Sequence, residues 1–328
     1  MSVERSVVAD VVESLEEGTR KAVEKLVKEA VEEGVEEAVR KAAGEAVEEG
    51  VDERIERAAR DTRAPRRALP VALRATLAWH AAMAAGFAIH PQWWPAWAAG
   101  LLADHGLLAV AGLLPRSAIL GPNLRRLPEA AAARGEVALT FDDGPDPEVT
   151  PAVLSLLAQA DARATFFCIG ERLRRHPALA REIVACGHAI ENHTQRHRHD
   201  FSLLGPARIE REVVAMQRTV AELAGAAPRF FRAPAGLRNA LLEPVLARLG
   251  LQLASWTRRG YDTASGDARR VRERLARGLG GGDILLLHDG NAARDGRGKP
   301  VVLEVLPRLL DDLAARGLCS VTLREALP

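Results

Sequence analysis

The spacing of apolar residues changes twice along this 328-residue chain. In the first segment they fall mostly on every fourth position, at Val23, Val27, Val31, Val35, Val39, Val47, Val51 and Ile55. An α-helix turns every 3.6 residues, so this stripe drifts around the axis by roughly 40° per step and cannot form one straight seam. Glu-Glu-Gly recurs at 16–18, 32–34 and 48–50, and its glycines soften any helix that contains them. Residues 1–60 therefore predict a charged, low-complexity helical extension that is solvated rather than packed. Self-association through this segment is the functional alternative.

Residues 61–70 (Arg63, Pro65, Arg66, Arg67, Pro70) read as a basic linker. Two apolar stretches of nineteen residues follow, Val71–Ile89 and Ala96–Leu114. Each is close to the length of about twenty that a membrane-spanning helix needs. The break between them holds Trp93 and Trp94, with Trp97 just after it, as at a membrane interface. The pattern predicts a transmembrane helical hairpin over 71–114 and a connector over 115–135; two helices buried against a soluble domain are the alternative. Arg63, Arg66, Arg67 and Arg74 precede the hairpin or open it, Arg116, Arg125 and Arg126 follow it, and the turn has no Lys or Arg. The positive-inside rule then places both ends, and the domain that follows, on the cytoplasmic face of the inner membrane. His80, Asp104 and His105 fall at one depth of such a hairpin. A lone charge there costs about 2.5–3.5 kcal/mol on insertion scales, so Asp104 is expected to accept a hydrogen bond from His80 or His105.

From Glu136 onward, short apolar or β-rich runs alternate with helical stretches. The runs are Val137–Phe141, Ala164–Ile169, His188–Glu191, Arg229–Arg232, Leu251–Trp256, Ile284–His288 and Ser320–Leu323. Pro151–Gln159 and Ala207–Ala224 are among the intervening helices, and Pro151 after Thr150 is a good helix start. Seven strands alternating with helices indicate a parallel α/β fold, either an irregular (β/α) barrel or a doubly wound sheet. A barrel places its chemistry at the carboxyl ends of its strands.

Charge and cysteines change this picture little. The net charge of +1 gives no bulk attraction for nucleic acid, and no nucleic-acid partner is expected. Residues 1–60 hold seventeen acidic against ten basic residues, which argues against an anionic membrane surface for that segment. The acidic N-terminus lacks the apolar core of a secretory signal. Cys168, Cys186 and Cys319 are widely spaced and suit buried or free thiols in a reducing compartment.

The predicted strand ends do carry polar groups. The first ends Thr140-Phe141-Asp142-Asp143-Gly144-Pro145, two adjacent carboxylates before a Gly-Pro turn. The third leads into His193-Thr194-Gln195-Arg196-His197, whose imidazoles share one face if that stretch is helical. Arg232 ends the fourth run, Asp262 follows the fifth, and His288 ends the sixth. One carboxylate with two imidazoles is the open, three-ligand set of a catalytic divalent metal. Zn suits the mixed N/O donors, and Co, Ni or Mn would also fit.

In this order, Thr-Phe-Asp-Asp-Gly-Pro, His-Thr-x-x-His, Arg-x-Pro-x-Gly, the Asp six residues after Trp256 and Leu-x-His resemble the five motifs of the polysaccharide deacetylases, the NodB-homology domain of carbohydrate esterase family four. The resemblance covers 136–328. It implies an irregular (β/α) barrel that hydrolyses N-acetyl groups of amino sugars at one divalent metal. Asp143, His193 and His197 would hold the metal. Asp142 would be the general base, kept ionised by Arg232, with His288 as general acid oriented by Asp262. The backbone N–H of Ala235 would stabilise the oxyanion, and Leu286 would line the acetyl pocket. The family usually has an aromatic residue where this chain has Ala235, and Trp where it has Thr263, which bears on substrate identity. Deacylation or deformylation of a lipid-linked sugar, and an inactive glycan-binding relative, are the alternatives to polymer or oligosaccharide deacetylation.

Overall fold

Strand β1 (Glu136–Asp142) is the axis of the architecture, and its burial on both faces follows from its alternation. Val137, Leu139 and Phe141 point outward into an apolar layer shared with Leu285, Leu287 and the helices Thr150–Gln159 and Val302–Ala315. Ala138 points inward with Phe167, Phe230, Trp256 and Leu286. Both faces of a parallel strand are normally covered in this way. The computed structural model describes residues 68–327, so the expectations for 1–60 and for most of the 61–70 linker fall outside the described residues.

Seven further strands are β2 (Ala164–Cys168), β3 (Ala189–Asn192), β4 (Phe230–Phe231), β5 (Gln252–Leu253), β6 (Arg258–Arg259), β7 (Ile284–His288) and β8 (Cys319–Ser320). They order as β5-β4-β3-β2-β1-β7-β6, with β8 beside the start of β1, and every pairing between them is parallel. The sheet curls as an irregular (β/α) barrel, the first of the two expected architectures. All seven expected runs overlap a strand, the last of them only at Ser320. β6 was not among them, because it is two arginines. It pairs with Leu285 and Leu286 of β7, and Arg258 is anchored by Asp283 at 2.5 Å and by the carbonyls of Arg277 and Gly278.

The connector expected at 115–135 is part of the wall. Leu124 N donates to Leu253 O at 2.9 Å, and Ser255 N donates to Leu124 O at 2.8 Å. Leu127 N reaches Gly282 O at 2.8 Å, and Arg126 Nη1 reaches Asp283 Oδ1 at 2.8 Å. The segment thus stitches the β5 side of the sheet to the start of β7.

Two antiparallel helices precede it, α1 (Val71–Ile89) and α2 (Trp94–Leu113). Trp79 Nε1 donates to Gly100 O at 3.2 Å, and Trp97 Nε1 to His90 O at 3.1 Å. Gly86 makes room for the Trp97 ring, since a Cβ there would lie 2.8 Å from Trp97 Cη2. Leu77, Phe87, Leu102, Leu107 and Val110 are exposed, so the alternative of a hairpin buried against the domain is not found. Two corrections follow. Among the described residues one helix, Pro91–Leu113, is long and apolar enough to cross a membrane, not two; Arg74 and His80 make α1 the more polar stretch. His80, Asp104 and His105 do lie together, but the hydrogen bond to Asp104 comes from Thr76 Oγ1 at 2.9 Å. His80 Nδ1 stays 3.8 Å from Asp104 and donates to Thr76 O, while His105 Nδ1 donates to Leu101 O. Each ring is taken by the carbonyl one turn back, and Thr76 shares the helix face of His80.

Candidate active site

The two adjacent carboxylates at the end of β1 part company because Asp143 has φ 71°, in the left-handed region. Asp142 faces Arg232, whose Nη1 donates to it at 2.6 Å and to Thr140 Oγ1 at 2.8 Å. Arg232 also donates to the carbonyls of Ala254 and Ser255 and lies 4.0 Å from the centre of the Phe167 ring. With the guanidinium buried, all these donors have acceptors, as a buried cation requires.

Asp143 faces two imidazoles. Its Oδ1 lies 3.2 Å from His193 Nε2 and 3.1 Å from His197 Nε2. The stretch that carries them is not the helix that the four-residue spacing allowed. Thr194 and His197 have φ of 68° and 50°, and the turn is closed by His197 N donating to Thr194 Oγ1 at 2.9 Å. Asn192 Oδ1 accepts from Thr194 N, and Asn192 Nδ2 holds Val213 O, which fastens the loop to the barrel. His193 Nδ1 donates to Arg232 O at 2.8 Å, so its Nε2 is left with a lone pair.

These residues fit a divalent metal. Asp143 Oδ1 is buried and has no hydrogen-bond partner, although two ring nitrogens point at it. Burial pushes the Asp143 carboxyl up, but the close approach and charge of His193, with His197 and His288 behind it, hold it well below the usual carboxylate range. Burial opposes charge on His193, yet Asp142 and Asp143 raise it; burial and then the charge of His193 push His197 down to about 4. One carboxylate oxygen and two imidazole nitrogens thus lie within 4.8 Å of one another, a place a cation would take.

Asn291, which the motifs do not include, also acts on this cluster. Its Nδ2 donates to Asp143 Oδ2 at 3.1 Å, and Arg172 Nη2 donates to its Oδ1 at 2.9 Å. It fixes the carboxylate oxygen turned away from the histidines. A lone Asn after Gly290 carries no sequence signal of its own. Asp289 was also unassigned. It is fully buried, Thr150 Oγ1 donates to it at 2.6 Å, and burial pushes its carboxyl up to about 7. Gly144 packs on it so closely that a Cβ would overlap the carboxylate.

On β7, His288 sits beside Asp142 in register. Asp262 Oδ1 accepts from His288 Nδ1 at 2.9 Å, and its Oδ2 accepts from the His288 backbone at 2.7 Å. Burial opposes the imidazolium, but Asp262 outweighs it and raises His288 to about 9. Leu286 lies two residues back on the same inward face and is buried among Phe167 and Trp256. Ala235 is exposed in the turn after β4, with φ 55°. The barrel thus brings Asp142, Asp143, His193, His197, Arg232, Asp262 and His288 to one end of its strands.

Comparison with known proteins identifies the family. The polysaccharide deacetylase family model matches residues 130–254. The chain is 34% identical over 197 residues to a peptidoglycan-N-acetylglucosamine deacetylase of Bacillus cereus, covering 58% of this chain and 87% of that one. It is also 34% identical over 200 residues to a chitooligosaccharide deacetylase of Sinorhizobium fredii, covering 59% of this chain and 93% of that one. A solved family 4 carbohydrate esterase from Streptomyces lividans, in complex with acetate, superposes with a TM-score of 0.52 at 35% identity over 57% of this chain and 91% of that one. The chain belongs to the polysaccharide deacetylase family.

Proposed function

We propose that this protein removes the acetyl group from N-acetylated amino sugars, with a divalent metal, Zn by donor type, held by Asp143, His193 and His197. The observation that carries this reading is the unpartnered Asp143 Oδ1 facing two Nε2 atoms, next to a second, separately held carboxylate, Asp142, and one strand away from the His288 imidazole. When bound, the metal polarises the amide carbonyl and activates water. Asp142, fixed by Arg232, takes the proton of the attacking water. His288, held charged by Asp262, gives its proton to the departing amine. The Ala235 N–H donates to the developing oxyanion, and Leu286 forms the floor under His288.

Loss of one acetyl mass from chito-oligosaccharides, followed by mass spectrometry, tests the reaction; intact substrates would overturn it. The pH profile tests the acid. A group raised to about 9 stays protonated through neutral pH and loses its proton above that value. The kcat/KM is expected to fall as pH rises through about 9. The Asp262→Asn variant should move this limb toward the ordinary imidazole range, and an unmoved limb would assign it to another group.

The exposed apolar surface of α1 and α2 supports the hairpin dipping into a bilayer from one side rather than crossing it twice, with the arginines on both flanks at the cytoplasmic face. An alkaline phosphatase fused after Pro328 should stay inactive; an active fusion would reverse the orientation.

A further inference from the structure

A cavity of ≈ 700 Å³ lies between the end of the hairpin and the β6 edge. Arg116, Arg258, Arg259 and Arg274 line it, and no lining residue is acidic. Arg258 is matched by Asp283, but Arg116, Arg259 and Arg274 donate at most to backbone carbonyls. The Nε of Arg259 is buried without a hydrogen-bond partner. Its guanidinium lies 5.3 Å from the ring centre of Trp256 and 4.9 Å from that of Tyr261, and Arg274 lies 5.5 Å from the same Tyr261 ring. Two cations thus lie over one aromatic ring. A buried donor left unpaired costs free energy, and planar guanidinium forks fit phosphate oxygens bidentately.

The cavity is one indole from the chemistry. Trp256 has Arg259 on one side at 5.3 Å and, at 5.8 Å, Arg232, which grips Asp142. The chain continues from β6 through Tyr261 to Asp262, the partner of His288. The rim is apolar: Leu114 and Ile119 are exposed there, directly after the exposed residues of α2.

We infer that this cavity binds the phosphate of an amino sugar esterified through phosphate, so that the substrate class is an N-acetylated sugar phosphate ester. The apolar rim and hairpin match a polyprenyl carrier on that phosphate; a nucleotide diphosphate is the other source of the same group. This inference rests on the deacetylase reading and names its substrate.

The test uses the full chain in detergent micelles. Its substrates are neutral chitotriose, N-acetylglucosamine 1-phosphate, UDP-N-acetylglucosamine and polyprenyl-phosphate-linked N-acetylglucosamine. The phosphate esters should show higher kcat/KM than chitotriose. Arg259→Gln should remove about tenfold or more of that gain while leaving chitotriose turnover unchanged. A larger gain for the polyprenyl ester identifies the lipid source, and a larger gain for the UDP sugar the nucleotide. Equal rates on neutral and phosphorylated sugars, or an equal loss on both in Arg259→Gln, overturn the inference and leave the deacetylase reading standing. If no sugar is deacetylated, that reading fails, and calorimetric titration with N-acetylglucosamine 1-phosphate still decides the cavity. Binding to the wild type that Arg259→Gln loses upholds it; binding absent from the wild type, or the same in both, overturns it.

Discussion

Asp142→Asn is expected to stop turnover while the protein still takes up one divalent metal. Asp142 makes its contact with Arg232, at 2.6 Å, whereas the two Nε2 atoms converge on Asp143. Asn keeps the shape and the hydrogen bond from Arg232 but cannot take a proton. The loss should be at least the 10²–10⁴-fold that a positioned general base contributes. His193→Ala or His197→Ala should instead lose metal and activity together. Metal content and kcat measured on the same preparations separate the cases. Should Asp142→Asn strip the metal while Asp143→Asn retains it, the two carboxylates have exchanged roles.

Arg232→Met is expected to be among the most destabilising single changes in the domain. It leaves Asp142 as a buried charge without its partner and removes donors from Thr140, Ala254 and Ser255. Removing one member of a buried ion pair costs about 3–5 kcal/mol. The urea midpoint should fall accordingly with little change in slope. Adding Asp142→Asn should recover part of the loss, because the uncompensated charge is gone. A double variant no more stable than Arg232→Met would mean that the carbonyl contacts, not the ion pair, carry the effect.

What the sequence made legible is what periodicity and residue type encode. The α1 bounds, the alternation of β1 and the clustering of Asp142, Asp143, His193, His197 and His288 at strand ends all follow from local pattern. What it hid depends on tertiary partners. β6 has no apolar pattern, and it forms because Asp283 and the carbonyls of Arg277 and Gly278 anchor Arg258. The His193–His197 spacing is compatible with a helix, but Thr194 and His197 adopt left-handed backbone instead, and only the Asn192 and Thr194 side chains explain why. Asn291 reaches Asp143 from a loop 148 residues away in sequence. Asp104 found its donor in Thr76 because both histidines were already engaged by their own helices.

The segment that leaves α2 bears on where this protein can be cut. Ser255 Oγ donates to Pro115 O at 2.7 Å, Arg238 Nη2 to Ser117 O at 2.5 Å, and Arg238 N to Gly112 O at 3.2 Å. Pro115 also packs against Gly236, the neighbour of Ala235, where a Cβ would lie 2.8 Å from the proline ring. A fragment begun at Glu136, where the motifs start, would lack the strip that closes the wall and the prop beneath the Pro234–Gly236 turn. The smallest piece able to fold into a working enzyme therefore begins near Gly112, inside the last turn of a helix that the chemistry itself never touches.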